Sequence, residues 1–479
     1  YLVRDGNVYV IECNLRSSRS MPYVSKTRGI NLMRLAAEVI MGKKIPERLL
    51  NLPYGEFVSI KAPMFSFMRL DNADPVLGVE MASTGEVACF GDDFPDALIK
   101  SLEATECLER AKRYGFSDGQ IAKIMKVDTI FVRQMRRKLG IHPFVKRIDT
   151  LAAEWPAITN YLYMTYSASE NDIDFEKENN SNLRKIIVLG SGTYRIGASV
   201  EFDWGSVNCL WGIKKLGIDQ AIMINFNPET VSTDFDISDK LYFEEISGER
   251  VLDICELEKA EGIVVSAGGQ IANNLAAKIS KYSEFFRKTN LKILGTHGSR
   301  IDMAEDRSKF SALLDQLNIK QPQWSILANK EDALKFSKEV EFPVLIRPSY
   351  VLSGAAMRVS YDEKTLRDTL DLAASISKEF PIVITKFFTN SREMECDGVC
   401  DGENVFIGAI VEHIENAGIH SGDATMSIGY YTVPTNIINV IEEYTKKIAL
   451  ALKIRGPFNI QYLVRDGNVY VIECNLRSS

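Results

Sequence analysis

The sequence predicts a multidomain chain of mixed class, α/β in one part and α+β in another. From Lys185 onward, strand-like apolar runs alternate with helical stretches, the pattern of a parallel sheet covered by helices. From Thr105 to Tyr163 the pattern is helical. The eighteen residues Tyr1 to Ser18 (YLVRDGNVYVIECNLRSS) return unchanged as Tyr462 to Ser479. Old duplications drift apart, so a perfect copy at both ends reads as a circular arrangement opened at one point. The chain is therefore expected to be circularly permuted, with one domain divided between its two ends.

Bulk properties set the bounds. A length of 479 residues gives room for about three domains. The net charge of −7 gives no global footprint for a nucleic-acid or membrane-surface partner. No apolar run approaches the roughly 20 residues needed to cross a bilayer. The eight cysteines are scattered, with Cys396 and Cys400 the closest pair, and no zinc pattern completes around them. They read as reduced thiols packed like small apolar residues, which points to the cytoplasm. Tyr1 is not a start methionine, which leaves a mitochondrial leader upstream open.

In chain order, Asn7 to Cys13 follows an Asp-Gly turn signal and reads as a buried strand. In the second copy Glu473, Asn475 and Arg477 are two apart and share a face. Oxygen ligands suit Mg²⁺ and a guanidinium suits an anion, so the trio reads as the floor of a phosphoryl-transfer site. A strand end with solvated polar residues is the alternative. Ile30 to Met41 has helical periodicity and Gly42 stops it. Phe57 to Cys89 reads as short strands with turns at Asp71-Asn72 and Thr84-Gly85, and Phe94 to Leu102 as a closing helix. Ser117 caps the helix of FSDGQIAKIM. Arg133, Arg136, Arg137 and Lys138 follow and give a helix-turn-helix look. The acidic whole argues against nucleic acid and for a helical interaction domain with a basic face. Ser167 to Asn182 is polar and acidic and reads as a linker.

The strand KIIVLGSG then enters a turn with Gly190, Gly192 and Gly197, followed by a helix from Val200 to Leu216. The third glycine stands five residues after the second, which is not the dinucleotide spacing. From Ile301 come a helix with Asp302, Glu305, Asp306 and Arg307, the strand VLIRPSY with Arg347, a turn at Ser353-Gly354 and a helix through Lys378. IVITKFF, Glu393, Glu395, VFIGAIV and the loop GIHSGDA with His420 complete this part. Taken singly, Arg347 reads as a surface ion pair and His420 as a satisfied loop residue.

Their order carries more than their identities. AEDR, RPSYVLSGAAM, REME, EHIENAGIHSGDA, FNIQ and IECNLR in succession resemble the carbamoyl-phosphate synthetase large chain, in its second ATP-grasp half. GSGTYRIGASVEFDW, NFNPETVSTDFDISDKLYFEE and SAGGQIANNLA are similar to that family's Rossmann-like pre-ATP-grasp domain, with Thr193 where proline is usual. FSDGQIA with IHPFVKRIDTLAAEWPAITNYLY resembles its helical oligomerisation domain. SRSMPYVSKTRG and EMASTGEVACFG resemble the closing third of the ATP-grasp domain, which normally follows IECNLR.

The resemblance implies a division into 1–103 (closing third of the ATP-grasp domain), 104–166 (helical oligomerisation domain), 167–182 (linker), 183–298 (pre-ATP-grasp domain) and 299–479 (first two-thirds of the ATP-grasp domain). The expected fold is thus an ATP-grasp domain split between the chain ends. The implied activity is ATP-dependent phosphorylation of carbamate to carbamoyl phosphate, for pyrimidine or arginine biosynthesis. The implied cofactors are ATP with Mg²⁺ or Mn²⁺. A nucleotide- or subunit-binding fragment without catalysis is the alternative. Arg307 and Arg347 would contact ATP phosphates; Phe388 would line the nucleotide pocket; Glu393 would hold the ribose; and Gly418, Ile419, His420 and Ser421 would form the loop beside the nucleotide. Gln461, Glu473 and Asn475 would bind the metal, with Glu12 and Asn14 their counterparts in the first copy, while Arg477, Arg19 and Arg16 would face the carbamate. The implied partners are the first ATP-grasp half, a glutaminase subunit or domain and further copies of the chain, with neither nucleic acid nor membrane. Neither copy of the repeat carries the whole set: the tail copy has Gln461 but stops before Arg19, and the front copy has Arg19 but no glutamine.

Overall fold

The computed structural model describes residues 1–479 except 19, 54, 56, 65–84, 106, 149–160, 180–182, 195–199, 281, 328–329, 349–356, 377–381, 430–431 and 479. The chain divides into two compact units, Tyr1–His142 and Pro143–Ser479. The expected turns at Asp71-Asn72 and Ser353-Gly354 lie outside the described residues.

The first unit opens with a hairpin of Leu2–Arg4 and Asn7–Tyr9, whose Asp5 and Gly6 both have positive φ, as a tight two-residue hairpin turn requires. Helices Met21–Arg28 and Leu32–Ile40 follow, the first stopped by left-handed Gly29 (φ 64°). Val58–Met64 pairs antiparallel with Gly85–Gly91, and the helix Phe94–Thr105 comes next. Three further helices, Cys107–Arg113, Asp118–Met125 and Thr129–Lys138, share a small core of Leu108, Ile121, Ala122, Val132 and Met135. Ser117 caps as expected: it accepts from the Gln120 amide and the Gln120 side chain reaches back, a full capping box. The expected basic face is thinned, because Arg136 is fully buried. It donates to Asp118 at 3.1–3.2 Å, and Lys112 reaches the same carboxylate at 3.0 Å.

The helical pattern expected to run to Tyr163 ends at Lys138. Phe144–Arg147 and Tyr161–Thr165 are paired antiparallel strands. Alternating burial of Leu162 and Met164 against half-exposed Tyr163 shows a period of two that a helical count absorbs. The stretch expected to be a linker contributes Ile173 and Phe175 to the core and a short helix, Phe175–Asn179.

These strands extend a seven-stranded sheet. Its order is Lys292–Leu294, Gly262–Val264, Lys185–Leu189, Gln220–Ile224, Lys240–Tyr242, Tyr161–Thr165 and Phe144–Arg147, parallel except at the last pair. Lys185–Leu189 is buried along its whole length, as a central parallel strand must be. The helix Val200–Lys215 follows it, matching the expected βα unit. Two antiparallel sheets complete the unit. One has Trp324–Leu327, Ile382–Lys386, Val344–Pro348 and Arg358–Ser360 in that order. The other has Met426–Ile428, Val405–Asn416, Arg392–Asp401, Arg455–Arg465 and Asn468–Asn475. The helix Thr435–Ala451 buries Ile437, Ile441 and Ile448 in one core with Cys396, Phe458 and Tyr462, and Thr445 bonds the Tyr462 hydroxyl at 2.7 Å.

Candidate functional site

The site is built on three neighbouring strands. Register places Glu395 opposite Gln461 and Gln461 opposite Glu473, a row of polar side chains across the sheet. A bulge between Gln461 and Tyr462 adjusts this end of the ladder.

Glu473 is the electrostatic centre. Its Oε2 lies 2.7 Å from Arg307 Nη2 and 3.6 Å from Arg347 Nη2, and its Oε1 accepts from Asn475 Nδ2 at 3.2 Å. Burial alone would raise its carboxyl, but the two guanidiniums hold it down at about 2. Arg347 is 5 % exposed, so it is not the surface ion pair of the single-residue reading. Burial and the neighbouring Arg307 lower its guanidinium to about 9, with Glu473 opposing. Its Nη2 donates to the Ile472 carbonyl at 3.1 Å, while its buried Nε has no partner among the described residues. Two guanidiniums meet at one carboxylate, and among the described residues Arg347 keeps an unused donor, a setting that attracts an anion. Arg307 begins the helix Arg307–Gln316, and Asp306 caps that end by accepting from Ser308 and Lys309.

Gln461 donates through Nε2 to Glu395 Oε1 at 3.1 Å and Ser421 Oγ at 3.4 Å, which leaves its Oε1 without a bond among the described residues. Asn459 braces the other oxygen of Glu395 at 2.8 Å. Buried His413 places Nε2 3.2 Å from Glu395 Oε1, an ion pair when the imidazole is protonated. Burial works against the charges of both groups, but each partner favours the other's ionised form, so Glu395 is lowered and His413 raised. Glu393 joins these two with ligand atoms all within 4.8 Å of one another, and burial pushes its carboxyl up to about 7 against the pull of His413. Glu393, Glu395 and His413 therefore form a candidate metal-binding group.

Gly418 has φ 111°, and its N–H is directed at the Glu393 carboxylate. Ile419 is half exposed, and His420 caps the short turn Ser421–Asp423 by accepting from the Gly422 amide at 3.0 Å. The Phe388 ring packs edge-on against Tyr470 at 4.9 Å, with the Arg465 guanidinium over it at 5.2 Å. Arg477 donates Nε to Gln270 Oε1 at 2.6 Å, Nη1 to the Ser478 carbonyl at 3.2 Å and Nη2 to Asn475 Oδ1 at 3.2 Å. Burial lowers its guanidinium pKa, opposed by Glu305 and Glu473.

The structure therefore brings Arg307, Arg347, Gln461, Glu473, Asn475 and Arg477 together through direct contacts, with Glu393 and the Gly418 loop joined through Glu395 and Ser421. Glu12, Asn14 and Arg16 belong to the other unit and are exposed. There Asn14 bonds Glu12 at 3.0 Å, as Asn475 bonds Glu473, and Arg16 reaches only the Ser17 carbonyl at 3.5 Å. Arg19 lies outside the described residues. Sequence reasoning assigned no role to Gln270 or His413. The unusual Gly-Gly-Gln before a helix was the visible signal for the first, and no local pattern marked the second.

The oxygen set fits a hard divalent cation: an ionised carboxylate and amide oxygens on adjoining strands, with no thiolate among them. Among the described residues, no helix is long and apolar enough to cross a membrane.

Comparison with known proteins agrees with this arrangement. Residues 182–303 match the carbamoyl phosphate synthase preATP-grasp domain, and residues 306–479 match the carbamoyl-phosphate synthase L chain, ATP binding domain. The mitochondrial arginine-specific carbamoyl phosphate synthase large chain of Schizosaccharomyces pombe is 39% identical over 98% of this chain and 48% of its own length. The large chain of Sulfolobus acidocaldarius is 38% identical over 98% of this chain and 52% of its own. The human mitochondrial carbamoyl-phosphate synthase [ammonia] is 37% identical over 98% and 37%. None of these matches shows the expected circular permutation. The chain spans about half the length of the large chains it matches, and it belongs to the carbamoyl phosphate synthase large-chain family.

Proposed function

We propose that this chain phosphorylates carbamate with ATP to give carbamoyl phosphate, the second phosphorylation of carbamoyl-phosphate synthesis, for pyrimidine or arginine biosynthesis. The observation that carries the reading is the Arg307–Glu473–Arg347 cluster, whose Arg347 Nε has no partner among the described residues, beside a Gln461 oxygen likewise without a bond among them. ATP phosphates would take the two guanidiniums, and Gln461, Glu473 and Asn475 would hold Mg²⁺ or Mn²⁺. The metal, when bound, neutralises charge on the transferring phosphoryl group. A carbamate oxygen then attacks the γ-phosphorus, the bond to the β-bridging oxygen breaks, and ADP leaves. Arg477 would face the carbamate. Positioning and charge neutralisation do most of this work, since no protein atom needs to become covalently attached.

The two domain matches begin close to residues 183 and 299 and support those boundaries of the proposed division. The permuted order remains a proposal resting on the terminal repeat. The carbamate would come from a first ATP-grasp half, with ammonia from a glutaminase subunit or domain. We place the reaction in the cytoplasm, with the mitochondrion as the alternative that the relatives' names suggest.

The test is ATP formation from MgADP and carbamoyl phosphate, the reverse of this half-reaction. The chain should be active, and the double substitution Glu473→Gln with Glu12→Gln should abolish the activity. Both copies are changed so that neither can mask the other. A folded wild-type chain that forms no ATP would refute the catalytic reading.

A further inference from the structure

We propose that Gln270 is a positioning residue that fixes the plane of the Arg477 guanidinium for an anionic substrate; this rests on the function proposed above. The preATP-grasp match runs over 182–303, so Gln270 belongs to it, whereas Arg477 lies in the ATP-binding match. One domain would then aim a group in the other's site.

The backbone under Gln270 is tightly constrained. It opens the helix Gln270–Ile279 directly after Gly269, whose φ of 75° suits glycine. A Cβ on Gly269 would stand 2.7 Å from the Phe202 ring, and one on Gly268 would stand 2.2 Å from the Gly190 carbonyl oxygen. The turn can therefore approach the strand end after Lys185–Leu189 only without side chains. The amide itself is then held: Gln270 is 7 % exposed and its Nε2 donates to Asn274 Oδ1 at 2.7 Å. A guanidinium has donors only, so the atom facing Arg477 must be Oε1, and the 2.6 Å contact to Nε is that of a charge-assisted bond.

Holding Nε, rather than a terminal nitrogen, has a consequence for reactivity. With Nε pinned, Nη1 on Ser478 and Nη2 on Asn475, each terminal nitrogen keeps one hydrogen uncommitted among the described residues. The Phe202 face, 5.6 Å from the guanidinium carbon, restricts rotation out of that plane. What results is a preset fork suited to two oxygens of a carboxylate or phosphate. Glu305, whose charge acts on Arg477, accepts from Asn273 of the Gln270 helix at 3.1 Å.

Gln270→Leu removes the acceptor at similar volume, and Gln270→Glu retains an oxygen at the same reach. In the full chain, calorimetry would measure the affinities for carbamoyl phosphate and for MgADP separately, alongside KM and kcat of the reverse reaction. We expect Gln270→Leu to weaken carbamoyl phosphate binding about 10- to 100-fold, Gln270→Glu to restore most of it, and MgADP affinity to stay unchanged in both. Unchanged carbamoyl phosphate binding in Gln270→Leu, or an equal loss of MgADP binding, would overturn the positioning role. Should Gln270→Leu fail to fold, Gln270→Met is read by the same criteria. A wild-type chain that binds MgADP but no carbamoyl phosphate would overturn the proposed substrate itself, and the positioning role with it.

Discussion

Glu473 and Glu12 stand at the same place in identical eighteen-residue sequences, so substituting each in turn isolates what tertiary structure adds. Glu473 is held by Arg307 at 2.7 Å and Arg347 at 3.6 Å, whereas Glu12 is exposed and, among the described residues, meets only Asn14. The guanidiniums lower the Glu473 carboxyl from 4.5 to about 2, a shift worth about 3 kcal/mol. Glu473→Gln removes that stabilisation and leaves two arginines facing each other, one of them buried. Amide hydrogen exchange in Arg455–Arg465 at neutral pH should accelerate by about 100-fold, the factor equivalent to 3 kcal/mol. Glu12→Gln should change nothing there. A depressed folded pKa contributes stability that is fully present above 4.5 and lost as pH falls toward 2, so the wild-type strand should lose protection across that window and Glu473→Gln should not. Equal exchange in the two variants, or a neutral Glu473→Gln, would refute the reasoning.

Two other outcomes follow from burial. Asp118→Asn leaves Arg136 and Lys112 in the helical core without their carboxylate, and should destabilise that unit by about 3–5 kcal/mol in urea; a loss below about 1 kcal/mol would contradict the buried triad. The repeat also carries a cysteine in each copy, Cys13 exposed and Cys474 buried with its thiol pushed well up by burial. A thiol reagent at neutral pH should therefore label Cys13 rapidly and Cys474 only on unfolding. Comparable native-state rates, separated by a Cys13→Ser variant, would count against the assigned burial.

Part of the polar cluster was legible because its residues sit at strand ends and fixed spacings. Glu473 and Asn475, two apart on one strand, do contact each other, and the Val200 helix follows its strand as expected. The strands at Phe144–Arg147 and Tyr161–Thr165 were hidden because one short alternating run among helical segments does not reveal its pairing partner. Arg347 was misread singly because burial comes from neighbours distant in sequence. Gln270 was missed because its partner stands about two hundred residues away, at Arg477.

The terminal repeat separates the two levels most directly. By itself the sequence determines a hairpin: Asp5 and Gly6, like Asp466 and Gly467, turn with positive φ, and Leu2 pairs with Tyr9 in the same register as Leu463 with Tyr470. Beyond Tyr9 the first copy has no strand to pair with among the described residues, and Val10 and Ile11 are 74 % and 68 % exposed. In the second copy the ladder continues to Asn475 because Arg455–Gln461 supplies the preceding strand, and Val471 and Cys474 are buried against the helix Thr435–Ala451 and its neighbours. Turn chemistry is local and acts wherever the residues occur. Burial, and with it the ionised Glu473 between two arginines, requires partners that only the tertiary structure brings to one of the two copies.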